Sequence, residues 1–313
     1  MLEIKNYTED LQKEYSRFCK KNISFLNYHS KPTHIAWLRD YRESFFKVAI
    51  NNNKIVGCLH GYRSPLILNG KTEMAMNLHN LYSDPDYKGS GMKLLMETIR
   101  EEDLKILAHA TGKLAIAYEK IGSIKIKSTW AKKFIIPKKI FSSKQIRNDS
   151  LYDKFLLKGF NILSNKNLKE RSTLLGVLKN LELFDNNITD DFIEWRFFHK
   201  FSPITYTVQE PKTESSLLFS VGKKNFIPFV RVFSLQLKDS ENPKNLLDCV
   251  ESIAASYGIP IVIISITSDV DLVQYNYKPY KNMPEAFCHS SSRRIADCKI
   301  DGISTDVAFN SFV

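Results

Sequence analysis

Between Glu73 and Asp103 the sequence changes its hydrophobic period within a few residues. EMAMNLHNLYS alternates every second residue, GMKLLMETIREED carries a helical stripe, and the loop SDPDYKGSG lies between them. In the strand, Met74, Met76 and Leu78 face one way and Ala75, Asn77 and His79 the other, so polar groups near its end share a face. In the helix, Met92, Leu95, Met96 and Ile99 form one stripe. A strand that ends in a Pro- and Gly-containing loop and restarts as an amphipathic helix confines the chain to α/β architectures. It also sets the unpaired amides and positive dipole end of a helix beside the strand terminus, where an anion is stabilised. Gly89 and Gly91 remove side chains that would block such an anion, Ser90 offers a hydroxyl, and Lys88 and Lys93 add positive charge. The GxxxxGK[ST] pattern of a P-loop is absent, and a GxGxxG fingerprint fails because Leu94 stands where the third glycine belongs.

The flanking sequence extends this pattern. IKNYTEDLQKEYSRFCKKN reads as a short strand and then a helix opened near Thr8, and a second helix covers His34 to Arg42. FFKVAI and IVGCLHGYR flank the turn NNNK, whose residues tolerate positive φ, which predicts a hairpin. LKILAH reads as a buried strand, GKLAIAYEK as a helix closed at Ile121-Gly122, and Ile124 to Trp130 as a return to strand. The first half, residues 1–147, is thus a mixed α/β domain, with the polar segment Ser142 to Ser150 as its linker. In residues 148–313, Phe192 to Phe201 ends a helix. ITYTVQ, SLLFSV and FIPFVRVFSLQL read as strands, Pro243 to Tyr257 as a helix and IPIVIISIT as a buried strand. This order repeats that of the first half, but SLQLKDSENPKN replaces the glycine loop.

Composition narrows the surroundings. At 313 residues and 43% hydrophobic content the chain has ample material for two cores. Its longest apolar runs are too short to span a bilayer, and MLEIKNYTED has charges where a signal peptide needs apolar residues, so a cytoplasmic location is the expectation. Five cysteines without CxxC spacing read as free thiols, and no metal site is expected. A net charge of +11 favours anionic partners, and from Lys113 to Arg147 ten Lys or Arg face a single acid, Glu119.

Position for position, LYSDPDYKGSGM resembles the acetyl-CoA-binding motif of the GNAT superfamily, a β-strand followed by V-x-P-x-Y-R-G-x-G-x-G/A. Tyr87, Lys88, Gly89 and Gly91 match, with Lys88 for the usual Arg or Gln, while Lys93 replaces the final Gly or Ala. Downstream, TGKLAIAYEKIGS resembles that superfamily's N-x-x-A-x-x-x-Y-x-K-x-G-F helix at Tyr118, Lys120 and Gly122, and departs from it at Thr111, Leu114 and Ser123. The resemblance implies a mainly antiparallel α/β fold and acetyl-CoA as co-substrate. The backbone of Leu81 and Tyr82 would pair with the pantetheine arm. Lys88, Gly89, Ser90, Gly91, Met92 and Lys93 would hold the pyrophosphate, with Thr111 at the head of the next helix. It further implies direct attack by an amine, which must lose a proton, while the leaving thiolate gains one. His79 is the implied base or water relay, Tyr118 the implied acid to the sulfur, and Asn77 an acceptor contact. Ala75 stands where the histone-acetylating branch carries its glutamate.

The second half resembles tandem GNAT-like proteins found with surface-polysaccharide biosynthesis, through Trp195, Arg196, His199, Pro203 and Tyr206 of EWRFFHKFSPITYTV. That implies two GNAT-like domains in tandem, the second degenerate and completing an acceptor cleft, with Arg196 a contact for an acidic group of the acceptor. The expected activity is N-acetyl transfer to a small amine such as an amino sugar. Transfer of a longer acyl group, transfer to a hydroxyl, and a non-catalytic module binding coenzyme A, acyl carrier protein or nucleic acid are the alternatives. Nucleic acid is disfavoured because the basic stretch presents no paired set of exposed aromatics beside Trp130. The sequence sets no oligomeric state.

Overall fold

The computed structural model describes residues 2–23, 32–141, 160–179 and 190–299, apart from 102, 111, 139, 203, 225, 239–241, 267–269, 281–284 and 293. The expected linker Ser142 to Ser150, Thr111 and Pro203 lie outside the described residues. The chain opens with β1 (Leu2–Asn6), α1 (Gln12–Asn22) and α2 (Pro32–Arg39), then runs through β2 (Ser44–Asn51), β3 (Lys54–Leu68) and β4 (Lys71–Ser83). Asn52 and Asn53 turn β2 into β3 and Asn69-Gly70 turns β3 into β4, all with positive φ, the conformation these residues tolerate best. Helix α3 (Ser90–Glu101) crosses to β5 (Lys105–Ala110), and α4 (Lys113–Lys120) follows.

One strand was expected from Ile124 to Trp130. Two form instead, β6 (Ile124–Lys125) and β7 (Thr129–Phe134), and they enter different sheets. The remaining elements are β8 (Asn161–Ser164), α5 (Arg171–Lys179), α6 (Asp190–Ile193), β9 (Tyr206–Gln209), β10 (Ser216–Lys224) and β11 (Ile227–Gln236). They continue as α7 (Lys244–Ser256), β12 (Ile261–Ile266), β13 (Lys278–Pro279), β14 (Glu285–His289) and β15 (Cys298–Lys299). The helix expected to end across Phe192 to Phe201 stops at Ile193 and continues as a π-helical turn over Glu194–Phe198. The wider turn lets three consecutive bulky residues, Trp195, Arg196 and Phe197, all point inward.

The fold is mixed α/β with two mostly antiparallel sheets. The first has strand order β1-β2-β3-β4-β5-β14-β6, with β15 also on β3; the second has β13-β7-β12-β11-β10-β9-β8. The sheets trade strands: β14, late in the chain, pairs with β5 in the first, and β7, early in the chain, pairs with β12 in the second. Between the sheets, Trp37 and Trp195 stack with centroids 5.0 Å apart. Each indole N–H donates to the other's carbonyl oxygen, at 3.2 and 2.6 Å. Tyr41, Tyr62, Phe192, Leu218 and Phe233 join the same buried cluster. Each such aromatic pair adds about 0.5–1.5 kcal/mol beyond the area it buries. All five cysteines are buried and free. Among the described residues no helix is long and apolar enough to cross a membrane.

Candidate active site

β4 pairs in parallel with β5 only over Met76–Lys105, Asn77–Ile106 and Leu78–Leu107. Immediately afterwards β4 bulges: His79 sits opposite His60, yet Tyr82 sits opposite Cys58, so β4 carries one residue more than β3 across this step. Asn80 absorbs it with a left-handed φ of 54°, its amide 3.2 Å from His60 Nδ1. Asparagine is the non-glycine residue best suited to that conformation. β3 keeps its hold on the far side, through Gly57–Ser83 and the Asp84 amide on Val56 O. The strand therefore leaves β5 while remaining pinned to β3, and a gap opens between Asn80–Ser83 and the end of β5.

The glycine loop lies at the mouth of this gap. Lys21 of α1 pins it by ion pairs to Asp84 (2.8 Å) and Asp86 (2.7 Å), and those bonds hold the Asp84 carboxyl below its ordinary value. Gly89 has φ +86° with open space where a side chain would stand. Gly91 packs closely on β4, since a Cβ there would lie 3.0 Å from Ser83 Oγ and 3.1 Å from Ser83 Cβ. Ser90 departs from the sequence expectation in its hydroxyl, which is buried and donates to Val56 O at 3.3 Å. Lys93 points away from the helix start, its ammonium on Leu2 O at 2.8 Å and 3.8 Å from Glu97. Lys88 and Met92 are exposed, and Leu81 and Tyr82 are half-buried with the gap beside their backbone.

The two candidate catalytic side chains face opposite sides of the sheet. His79, 3% exposed, lies edge-on to Tyr62 at 5.0 Å and to His60 at 5.7 Å, and Asn77 donates to the Tyr62 hydroxyl at 3.1 Å. Tyr118 of α4 is buried on the other side with Leu78 and Leu107, against Phe287 of the exchanged strand β14 at 5.7 Å. Burial pushes its hydroxyl well above the ordinary tyrosine value. The sheet itself lies between the two.

No family model matches the sequence, and no curated protein matches it. Similarity appears in shape. A probable N-acyltransferase of unknown function from Enterococcus faecalis V583 superposes with a TM-score of 0.58 at 10% identity, over 93% of this chain and 72% of that one. N-myristoyltransferase of Saccharomyces cerevisiae, solved with myristoyl-CoA and inhibitors, gives 0.59 at 8% identity over 92% and 80%. A tandem GNAT protein from the clavulanic acid biosynthesis pathway gives 0.54 at 11% over 94% and 100%. The chain has the tandem GNAT fold.

Where the two GNAT-like halves meet, a cleft of about 350 Å³ is lined by Asp40, Tyr41, Arg42, Asp191, Glu194, Trp195, Phe198 and His199. Three carboxylates and four aromatic rings line it, with Arg42 as its one arginine. His199 Nε2 lies 3.0 Å from Asp40, and Arg171 pairs with Glu194 at 2.5 Å. Arg196, expected to reach an acceptor, is instead wholly buried in the interface behind this wall. Its guanidinium lies 6.0 Å from the Trp37 ring and 5.3 Å from that of Phe197.

Two contributors escaped the sequence reading. Asn80 had a local signal, an asparagine inside an apolar strand. Lys166 had none: exposed along its stem, it reaches the Ser202 hydroxyl at 2.9 Å and His199 O at 3.2 Å, and desolvation of its ammonium end with the charge of Arg196 lowers it to about 8.

Proposed function

We propose that the chain transfers an acyl group from acyl-coenzyme A to a primary amine by direct attack, with acetyl as the first acyl group to test. One observation carries this reading: a bulged strand leaves its parallel neighbour at the foot of a glycine loop that opens a helix. In this reading residues 1–147 hold the coenzyme. The backbone of Leu81 and Tyr82 takes the pantetheine arm, and the amides from Gly89 to Lys93, with Lys88, take the pyrophosphate. The thioester then lies in the gap, reached by His79 from one face and Tyr118 from the other. The amine nitrogen, relieved of a proton towards His79 directly or through water, bonds to the thioester carbon. Collapse of the tetrahedral intermediate breaks the C–S bond, and the Tyr118 hydroxyl protonates the departing sulfur. Residues 148–313 complete the acceptor cleft, whose carboxylates and aromatic faces favour a cationic acceptor. An amino sugar is the first candidate.

Acetyl-CoA should raise the melting temperature where ATP and NAD do not. Saturation a hundredfold above the dissociation constant corresponds to about 2.7 kcal/mol. Gly89→Leu, which needs a left-handed leucine and fills the open space beside the loop, should abolish the shift. No shift with acetyl-CoA or any longer acyl-CoA would overturn the coenzyme site. The deep burial of His79 favours a second reading, a coenzyme-binding module without turnover. Acyl-CoA binding without thiol release on a panel of amines and amino sugars would select it.

A further inference from the structure

Five large apolar side chains stand out into solvent at one end of the second sheet. Ile136, Ile140 and Phe226 are 88%, 93% and 97% exposed, and Phe134 and Ile227 join them. The register brings them together. Phe134 ends β7 opposite Ile261, Ile261 lies beside Phe229 on β11, and Ile227 opens β11 at the tip of the β10–β11 hairpin. The chain beyond Phe134 runs back across this end, with Ile135 N on Pro260 O and Lys138 N on Ala255 O. It returns to the hairpin, where the Lys223 ammonium lies 4.9 Å from the ring centre of Phe141. Phe226 holds its place with φ +67°, a conformation bulky residues rarely adopt. Lysines frame these tips. Lys138 and Lys223 are exposed, and Lys132 lies over Phe134 and Tyr280. No carboxylate occurs in residues 131–141 or 222–229.

We propose that this end of the second sheet docks on an anionic lipid bilayer surface. Phe226, Ile136 and Ile140 would enter the boundary between headgroups and acyl chains, and Lys132, Lys138 and Lys223 would meet lipid phosphates. Apolar tips set among lysines, with no acid in the same stretches, complement an interface that is apolar beneath and negative above. Lysine stems lie along the apolar zone while their ammonium groups stay at headgroup level. Three of the five tips, Ile136, Ile140 and Ile227, are aliphatic and give a nucleic acid base nothing to stack on. They stand on two separate segments, the end of β7 with the chain after it and the tip of the β10–β11 hairpin, which fits a deformable bilayer better than a second copy of the chain.

Co-sedimentation of the full chain with phosphatidylcholine vesicles, with and without phosphatidylglycerol, tests this. The wild type should pellet with the anionic vesicles and be released by high salt. Phe226→Ser/Ile136→Ser/Ile140→Ser should weaken binding roughly tenfold or more with an unchanged melting temperature. Lys138→Glu/Lys223→Glu, which leaves the apolar tips intact, should weaken it as well and serves if the triple variant does not fold. Failure of the wild type to bind anionic vesicles overturns the proposal, as does equal binding by the triple serine variant. A wild-type dimer in sedimentation velocity, or tRNA binding, that the triple variant loses would assign the face to self-association or nucleic acid and overturn it equally.

Discussion

In both sheets an antiparallel run leads into a parallel pair joined by a helix, β4–α3–β5 in the first and β11–α7–β12 in the second. In both, the strand before the helix gains a residue where it leaves its parallel partner. In the first sheet the extra residue is placed by Asn80; in the second it is Phe233, between Val232 opposite Phe219 and Ser234 opposite Leu218. The pair facing each other just before the bulge is His60 and His79 in one half, Phe219 and Val232 in the other. Beyond the strand, Gly89 turns left-handed to start α3, whereas α7 follows Pro243 in ordinary helical conformation. The backbone plan makes an opening in either sheet. Side chains decide its use: the second is filled by the apolar core around Phe219, Val232 and Leu235, with Phe233 turned into the interface between the halves.

The sharpest way to break this comparison is to give the first half the second half's pair. His60→Phe with His79→Val should leave acetyl-CoA stabilisation in place while the rate of thiol release falls by roughly 10²–10⁴-fold, the range for a lost acid or base. His60→Phe also removes the ring nitrogen that faces the Asn80 amide at 3.2 Å, so retained acetyl-CoA stabilisation is the control that the bulge survives. Turnover within twofold of wild type would remove His79 from the chemistry. His79→Ala alone refines the point: a rate loss that shrinks at high pH, where the amine is already neutral, marks a base, and a pH-independent loss marks packing.

The second contrast is the helix after the parallel pair. The first half has α4 with Tyr118, and the second has the 3-10 turn Val273–Tyr275. Tyr118→Phe should keep coenzyme binding and slow thiol release at least about tenfold. Because burial raises the Tyr118 hydroxyl above its ordinary value, it stays protonated through neutral pH, and no alkaline fall in rate below about pH 10 should come from it. An unchanged rate would make Tyr118 a core aromatic on Phe287.

Local chemistry made much of this visible in the sequence. Alternation placed Asn77 and His79 on one face of β4, and the glycine loop marked where α3 begins; the left-handed φ of Gly89 came only with the structure. The exchange of strands was not visible, because nothing in TWAKKF says which sheet edge it will join. β7 and β12 are neighbours across more than a hundred residues. The burial of Arg196 was hidden for a related reason: an arginine is ordinarily exposed, and only the π turn and the distant Trp37 turn it inward. Contacts such as Lys21 with Asp84 likewise join residues that carry no signal of each other until the sheet has formed.

The exchanged strands offer the last and smallest test. β14 is fastened to the first sheet by Asp103, whose carboxylate accepts from the hydroxyls of Ser290, Ser291 and Ser292 and from the amides of Ser291 and Ser292, all at 2.7–3.1 Å. Burial pushes this carboxyl up, but the hydrogen bonds, those from Ser292 foremost, outweigh it and hold it well below the carboxylate range. β7 is fastened to the second sheet by Lys133, on Glu251 at 2.7 Å and Tyr275 O at 3.1 Å. Asp103→Asn should cost about 1–3 kcal/mol in urea unfolding, and Lys133→Met, which leaves the half-buried Glu251 without its cation, about 1–3 kcal/mol as well. A carboxyl depressed in the folded state contributes its full stability above its unfolded value near about 4. It loses that contribution as pH falls, so the gap between wild type and Asp103→Asn should narrow below about pH 4. Equal stability at neutral pH would mean that strand pairing alone, Phe287 with Leu107 and Cys288 with Ile106, seats β14, and that the serine clasp only decorates its end.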